Sequence, residues 1–404
     1  MALSSQLQSV LKFIFRPQAL VVGILVVAGA VSCRSNQKDA PTPGEEASWS
    51  GQMQNMSENV RAILPYLYDR DAFRNPKNRA QVHTALKRFA QAAHHVNAET
   101  GKKFIPDDLL IEYSLNNLRD DLNRAVHSFE MGQLEYARTA AKSSIGHCFR
   151  CHSVTSEGGV AAWDIENLNH LNLAPLEKAD LLVATRKYDK AVNYMEGQLN
   201  SPDFLKKHAF DFEAMLRRYL ALIIRVESAP QRALKELDRV VMREDVPHYI
   251  QEQAESWRQS LKAWASEKKP KIANSKQLFD EVEKRFRKAG GLQRYEKDHA
   301  GDVEYLRATA LLHESPKMLK SPAEQARALY LLGQAYEVLD ELGSWNLHES
   351  YYEACLLKDP SAPTAKRCYS RLEASLYMGY SGSSGTHLPP EEAERLRRLR
   401  AKIQ

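Results

Sequence analysis

The chain has 404 residues with a formal net charge of +5, and 43% of its residues are hydrophobic. That length allows two or three domains of ordinary size. Acidic and basic residues are interspersed and the positive excess is small, which argues against a basic surface for nucleic acid.

The N-terminal residues have the pattern of a secretory signal. Two basic residues, Lys12 and Arg16, precede an apolar run over residues 19–31. This run is too short to span a bilayer comfortably, since about 20 apolar residues are usual. We therefore predict a cleaved signal peptide over residues 1–32, with an uncleaved N-terminal anchor as the alternative. Either interpretation exports the body of the protein.

The residues around Cys33 have the pattern of a lipoprotein cleavage site. Cys33 follows Ala-Val-Ser and is predicted to carry the lipid as the first residue of the mature protein. Residues 33–50 are rich in Pro, Gly, Ser, Asn and Glu and lack periodic hydrophobicity, which indicates a flexible tether. The sequence thus predicts a periplasmic bacterial lipoprotein held on a membrane, and leaves the leaflet open.

Residues 51–158 carry four stripes of apolar residues at the three- and four-residue spacing of amphipathic helices. The stripes are Met53, Met56, Val60, Ile63 and Leu67; Val82, Leu86, Phe89, Ala93 and Val96; Ile111, Leu115, Leu118, Leu122, Val126 and Phe129; and Leu134, Ala137, Ala141, Ile145, Cys148 and His152. Asn75-Pro76, Gly101 and Gly132 mark the joins between them. Four such helices with modest connections predict an antiparallel four-helix bundle.

The fourth stripe runs into Cys148-Phe149-Arg150-Cys151-His152. Cys-x-x-Cys-His is the spacing at which haem is attached covalently to protein. In that chemistry, Cys148 and Cys151 add to the two vinyl groups, and His152 gives a ring nitrogen to the iron as the proximal ligand. We predict one covalent haem c inside the bundle, near the end of its fourth helix.

A Cys-x-x-Cys pair also occurs in redox dithiols and in zinc sites. A thioredoxin-like dithiol is expected in a βαβ setting, which the periodicity of this chain does not indicate. A zinc site needs a second pair of ligands at ligand spacing, which Cys355 and Cys368 do not supply. Haem attachment is therefore the favoured interpretation.

Residues 50–155, about a quarter of the chain, resemble the cytochrome c′ family, a four-helix bundle with Cys-x-x-Cys-His near the end of its last helix. Gly132-Gln133-Leu134-Glu135, Arg138 and Ile145-Gly146-His147 are similar to the family's fourth helix. In that family the first helix carries the residue on the distal side of the iron, and the resemblance puts Met53 there. The segment after His152 departs from the family, because it lacks the usual basic helix end.

Met53 has two interpretations, because a methionine on an apolar helix face is also common core filling. Ligation by Met53 would make the iron six-coordinate, and packing alone would leave the distal position vacant or open to another ligand. Met56 lies one turn further on and is a weaker candidate. The imidazoles that compete for the position belong to His83, His94, His95, His127 and His147. Two histidine ligands would lower the reduction potential relative to His/Met ligation.

Residues 165–404 are again helical by pattern, but the pattern is that of paired helices. Residues 179–191, followed by Pro202, are similar to a tetratricopeptide repeat in the placement of small and aromatic residues, and weaker echoes follow at 233–247 and 326–360. The likeness implies an α-solenoid that binds a protein partner. A non-repeating helical array is the alternative.

Two further features lie near the C-terminus. Cys355 and Cys368 flank the Asp359-Pro360-Ser361 turn between two predicted helices, so either a disulfide or two buried thiols fits an oxidising compartment. Pro389-Pro390 opens a last helix with a basic end, which is either a solvated face or a docking patch for an acidic partner.

Three functions follow as expectations. The first is an electron carrier, in which the haem exchanges single electrons with a redox partner protein and the helical array docks a protein partner. The second is a five-coordinate haem protein that binds or senses a small gas, and the third is a helical scaffold with an auxiliary haem. The C-terminal half carries no Ser/His/Asp set, phosphate loop or metalloprotease motif, so we expect no enzyme. Dimerisation through the haem bundle stays open.

Overall fold

The computed structural model describes residues 48–97, 109–154, 160–161, 171–339, 346–383 and 385–403. These residues are almost entirely helical, which confirms the predicted all-α class. The helices before residue 155 are α1 (Trp49–Leu67), α2 (Arg70–Arg74), α3 (Arg79–His95), α4 (Leu109–Glu130), α5 (Leu134–Ser143) and α6 (Gly146–His152).

The helices after residue 170 follow one another with short connections. They are α7 (Pro175–Ala184), α8 (Tyr188–Leu199), α9 (Pro202–Lys207), α10 (Ala209–Leu222), α11 (Pro230–Met242), α12 (His248–Ser266), α13 (Ser275–Leu292), α14 (Asp302–Glu314), α15 (Pro322–Val338), α16 (Leu347–Lys358), α17 (Pro363–Gly379) and α18 (Pro390–Lys402). Short 3-10 turns lie at Pro76–Asn78, His299–Gly301 and Pro316–Met318, and a π turn at Ile223–Glu227. Two antiparallel strands, β1 (Ser381–Gly382) and β2 (Gly385–Thr386), pair before the last helix.

Local sequence signals fix several helix ends. The Ser48 hydroxyl accepts a hydrogen bond from the backbone N–H of Gly51 at 3.0 Å and begins α1. Ser321 and Glu324 form a capping box at the start of α15, where Pro322 occupies the first helical position. Gly132 takes a φ of +80° between α4 and α5, a conformation that favours glycine and ends α4.

The apolar stripes predicted for the first three helices are mostly buried in α1, α3 and α4. Along the chain, α1 packs against α3, α3 against α4, α4 against α5, and α5 against α1. The short helix α6 packs against α4 and α7. The stripes therefore face a shared interior, and α6 lies between that interior and the first helix of the C-terminal region.

The fourth predicted helix is divided in the structure. A turn at Ser144 and Ile145 separates α5 from α6, whereas the sequence predicted one helix running into His152. The Ser144 hydroxyl donates to the Ala141 carbonyl at 2.7 Å, a local bond that competes with helix continuation. Gly146 follows directly and lowers the helical propensity further. The division lets α6 take a direction of its own.

Helices of the C-terminal region pack mainly on their sequence neighbours. The strongest pairings join α11 to α12, α13 to α14, α15 to α16 and α16 to α17. One longer-range contact brings α16 against α4. Among the helices of the described ranges, none has both the length and the hydropathy to cross a bilayer. The predicted boundary between residues 158 and 165 stays a prediction, since 155–159 and 162–170 lie outside the described residues.

Candidate haem-attachment site

The Cys-x-x-Cys-His motif forms most of α6. Cys148 and Cys151 are three residues apart on this helix, and Cys148 and His152 are four apart, so the three side chains share one face. All three are partly exposed. The helix therefore places two thiols and an imidazole on the same side of α6.

Phe149 anchors α6 on a flank next to the face that carries the two cysteines and His152. Its ring is buried, and the Arg218 guanidinium lies over it at 5.4 Å from the ring centroid. Arg218 in turn bonds Asp180 of α7, Nε to Oδ1, at 2.7 Å. Burial raises the pKa of Asp180, although the charge of Arg218 opposes that shift. These contacts fix α6 against α7 and α10 and set which face carries the cysteines.

The His152 ring is held by a backbone carbonyl. Nδ1 of His152 lies 2.6 Å from the carbonyl oxygen of Ala184. Because a carbonyl only accepts, Nδ1 carries the hydrogen and the lone pair is on Nε2. Although the residue is partly exposed, the atoms packed around its ring desolvate it, and with the charge of Arg186 adding to that effect the pKa of His152 is lowered to about 3, which favours the neutral ring. A neutral imidazole with this tautomer is the form that binds a metal through Nε2.

Ala184 ends α7, and the backbone reverses immediately after it. Arg186 has a φ of 57°, in the left-handed region, which costs a non-glycine residue roughly 1–2 kcal/mol. Its N–H donates to Val183 at 2.8 Å, and the N–H of Lys187 donates to Leu182 at 2.9 Å. This is the Schellman arrangement of a helix C-terminus. It leaves the Ala184 carbonyl directed at His152.

A second contact reaches the backbone of His152. The Tyr188 hydroxyl donates to the carbonyl oxygen of His152 at 2.7 Å and accepts from Nη1 of Arg186 at 3.0 Å. Burial raises the pKa of Tyr188, so the phenol keeps the hydrogen that it donates. The ring and the backbone of His152 are therefore both held by the connection between α7 and α8. Sequence reasoning missed these contacts, because residues 184–188 are remote from the motif and have no metal-site pattern.

Met53 is partly buried on α1 and packs against the core, with Met56 buried one turn later. The main packing partners of α1 are α2, α3 and α5, whereas those of α6 are α4, α5 and α7. Only α5 is common to both. The structure thus gives Met53 a packing role and leaves its ligation of iron a prediction.

Three of the competing histidines have side-chain partners. His83 Nε2 lies 2.8 Å from Glu130, His94 Nε2 lies 3.1 Å from Asn123, and His147 Nε2 lies 2.7 Å from Asp121. His95 and His127 are exposed. In each of these three rings the partnered nitrogen is Nε2, which leaves Nδ1 for a metal, whereas in His152 the partnered nitrogen is Nδ1.

The remaining predicted residues lie apart from α6. Cys355 of α16 and Cys368 of α17 form a disulfide with their Cα atoms 6.2 Å apart, and both residues are buried. Cys33, the signal and most of the tether lie outside the described residues.

Comparison with known proteins places the chain in no family. No family model, no curated protein and no solved structure matches it. The resemblances to cytochrome c′ and to tetratricopeptide repeats therefore stay predictions, and the argument for function rests on the site itself.

Proposed function

We propose that this protein is a lipid-anchored periplasmic c-type cytochrome that transfers single electrons and docks a protein partner through its C-terminal helices. The observation that carries the proposal is the 2.6 Å contact between Nδ1 of His152 and the carbonyl oxygen of Ala184, which favours the tautomer that coordinates through Nε2. The motif is a feature of the local sequence, whereas this contact comes from a distant segment of the fold.

The residues of α6 fit a covalently attached haem. Cys148 and Cys151 would form the two thioether bonds, and His152 would hold the iron through Nε2. The bound group supplies one-electron chemistry. The chain contributes the rest: Ala184 fixes the imidazole, Phe149 and Arg218 orient α6, and the apolar interior beside α4 limits the access of water.

A four-helix bundle is the architecture that we propose around this site. It is supported by the closed series of contacts α1–α3, α3–α4, α4–α5 and α5–α1. The paired packing of α11 to α17 supports a solenoid-like array that presents a surface to a partner. The lipid anchor and the periplasmic location are supported by the N-terminal sequence alone.

The first test is the absorption spectrum of protein matured in an exporting, haem-attaching host. We expect a covalent haem spectrum that survives denaturation, and its loss in Cys148→Ala/Cys151→Ala. The matched control is Cys355→Ala/Cys368→Ala, which removes two cysteines far from α6 and should keep the haem. Wild-type protein that carries no covalent haem would sink the proposal.

A second candidate function is favoured by the position of Met53. Because α1 and α6 have different main neighbours, the distal side of the iron could stay open to a small gas. The spectrum of the reduced protein with carbon monoxide distinguishes electron transfer from gas binding. A low-spin spectrum unmoved by carbon monoxide and altered by Met53→Ala, but not by Met56→Ala, supports the electron carrier. A high-spin spectrum that shifts with carbon monoxide supports gas binding.

A further inference from the structure

The connection between α7 and α8 touches His152 at two places, although it belongs to the C-terminal region. We propose that Arg186 and Tyr188 are positioning residues for His152, through which this connection sets the orientation and the basicity of the proximal ligand. The inference rests on the proposed function and adds to it. The C-terminal region becomes a tuning part of the haem site as well as a docking surface.

The first step in the argument is the hydrogen-bond inventory of the end of α7. An unsatisfied carbonyl in a buried helix end is unfavourable, so each needs a donor. The carbonyls of Leu181, Leu182, Val183 and Thr185 accept hydrogen bonds from the turn itself or from the N–H of Ala161. His152 also bonds the backbone of Val183. The Ala184 carbonyl takes its hydrogen from His152. The turn and the imidazole therefore satisfy each other.

The second step is the backbone conformation that orients the Ala184 carbonyl toward His152. Arg186 reverses the chain with a φ of 57° and lets the carbonyls of the last turn diverge. A β-branched residue resists this conformation strongly, whereas glycine adopts it freely. Whether Ala184 faces His152 thus depends on which residue occupies position 186.

The third step is electrostatic. The Ala184 carbonyl lies in the last turn of α7, where the helix dipole places partial negative charge. A negative acceptor polarises the Nδ1–H bond and makes Nε2 more basic, which favours the oxidised over the reduced iron. The contact is therefore expected to hold the reduction potential low. Tyr188 supports it by fixing the backbone of His152 at 2.7 Å.

The experiment compares two substitutions that both remove the Arg186 guanidinium. Arg186→Gly keeps the left-handed turn and should keep the Nδ1–H tautomer of His152, read from imidazole nitrogen shifts of the haem-free protein. Arg186→Val should lose it. In the haem-loaded protein, the reduction potential of Arg186→Val should be higher than that of Arg186→Gly by ~59 mV. For one electron, this corresponds to about a tenfold change in the redox equilibrium constant.

Two conservative tyrosine-to-phenylalanine substitutions provide a second test if Arg186→Val does not fold. Tyr188→Phe should speed hydrogen exchange at Nδ1 of His152 and raise the potential, while Tyr194→Phe, the same change on the same helix, should do neither. Equal behaviour of Tyr188→Phe and Tyr194→Phe, in a protein that carries haem, overturns this inference and leaves the proposed function standing. Wild-type protein without covalent haem overturns both.

Discussion

Asp121 of α4 faces His147, the residue that precedes the motif. Its carboxylate lies 2.7 Å from Nε2 of His147, and Arg124 is a second partner. Burial raises the pKa of Asp121, but the hydrogen bond and charge of His147, together with Arg124, outweigh it and hold the pKa below its usual value. The pair links α4 to the start of α6, so its ionisation state bears on how firmly the motif is held.

The sign of the pH dependence follows from that lowered pKa. The unfolded chain binds the proton at a higher pH than the folded chain does, so the stabilisation is present above about pH 4 and is lost as the pH falls through the folded pKa. We expect the difference in unfolding free energy between wild type and Asp121→Asn to shrink from pH 6 to pH 3. Denaturant titrations at each pH measure this difference in unfolding free energy. The exposed neighbour gives the control, Asp120→Asn, and a difference that stays constant with pH would contradict the assignment.

Gly333 of α15 is the site of a close helix–helix approach. A Cβ atom at this position would lie 2.5 Å from Cε1 of Tyr352, a buried residue of α16. We expect Gly333→Ala to lower the unfolding free energy by about 1–3 kcal/mol, because the ring has no room to move. Gly197→Ala on α8 is the matched control, since nothing lies within 4 Å there, and it should stabilise by roughly 0.5–1 kcal/mol. Thermal or denaturant unfolding checks both, and equal effects would refute the contact.

At the scale of the elements, a buried charge cluster holds α13 to its neighbours. Arg285 is almost fully buried and bonds Glu267 beyond the end of α12 at 2.7 Å and Glu304 of α14 at 3.2 Å, and it also pairs with Glu281. Arg307 bonds Glu304 and Glu267 as well, so two guanidiniums share these carboxylates. Removal of Arg285 would leave the buried carboxylates with fewer compensating charges.

We therefore expect Arg285→Ala to cost about 1–3 kcal/mol of unfolding free energy, because Arg307 still compensates part of the buried negative charge. Arg287→Ala, the same change at an exposed position of α13, should stay within roughly 0.5 kcal/mol of wild type. Chemical unfolding monitored by circular dichroism provides the comparison. A loss at position 285 no larger than that at 287 would show that the cluster is solvated in solution.

The elements also show where sequence reasoning succeeds and where it stops. Periodic burial identified α1, α3 and α4, because a helix that covers a core must repeat its apolar residues every three or four positions. The turn at Ser144 was missed, because Ile145 keeps the same apolar period on both sides of the break. The spacing of apolar residues indicates which face of a helix is buried, but it does not indicate that the helix axis changes direction.

At the scale of the whole molecule, the motif could be predicted from sequence and its supporting contacts could not. Cys148, Cys151 and His152 are recognisable because the proposed attachment of haem requires fixed local spacing. Ala184 acts through its backbone carbonyl, which any residue offers, and it reaches His152 across 32 positions of the chain. Long-range backbone contacts of this kind leave no residue-type signature, so only the fold reveals them.

Burial distinguishes the two cysteine pairs that the structure describes. Cys355 and Cys368 are oxidised to each other and hidden in the folded hairpin, whereas Cys148 and Cys151 stay partly exposed on α6. If the proposed attachment of haem takes place in a compartment that favours disulfides, Cys148 and Cys151 must be kept reduced there. A reductant that acts on this exposed pair would have little access to the buried disulfide. Under the proposed function, the two pairs can therefore hold opposite redox states in one folded chain.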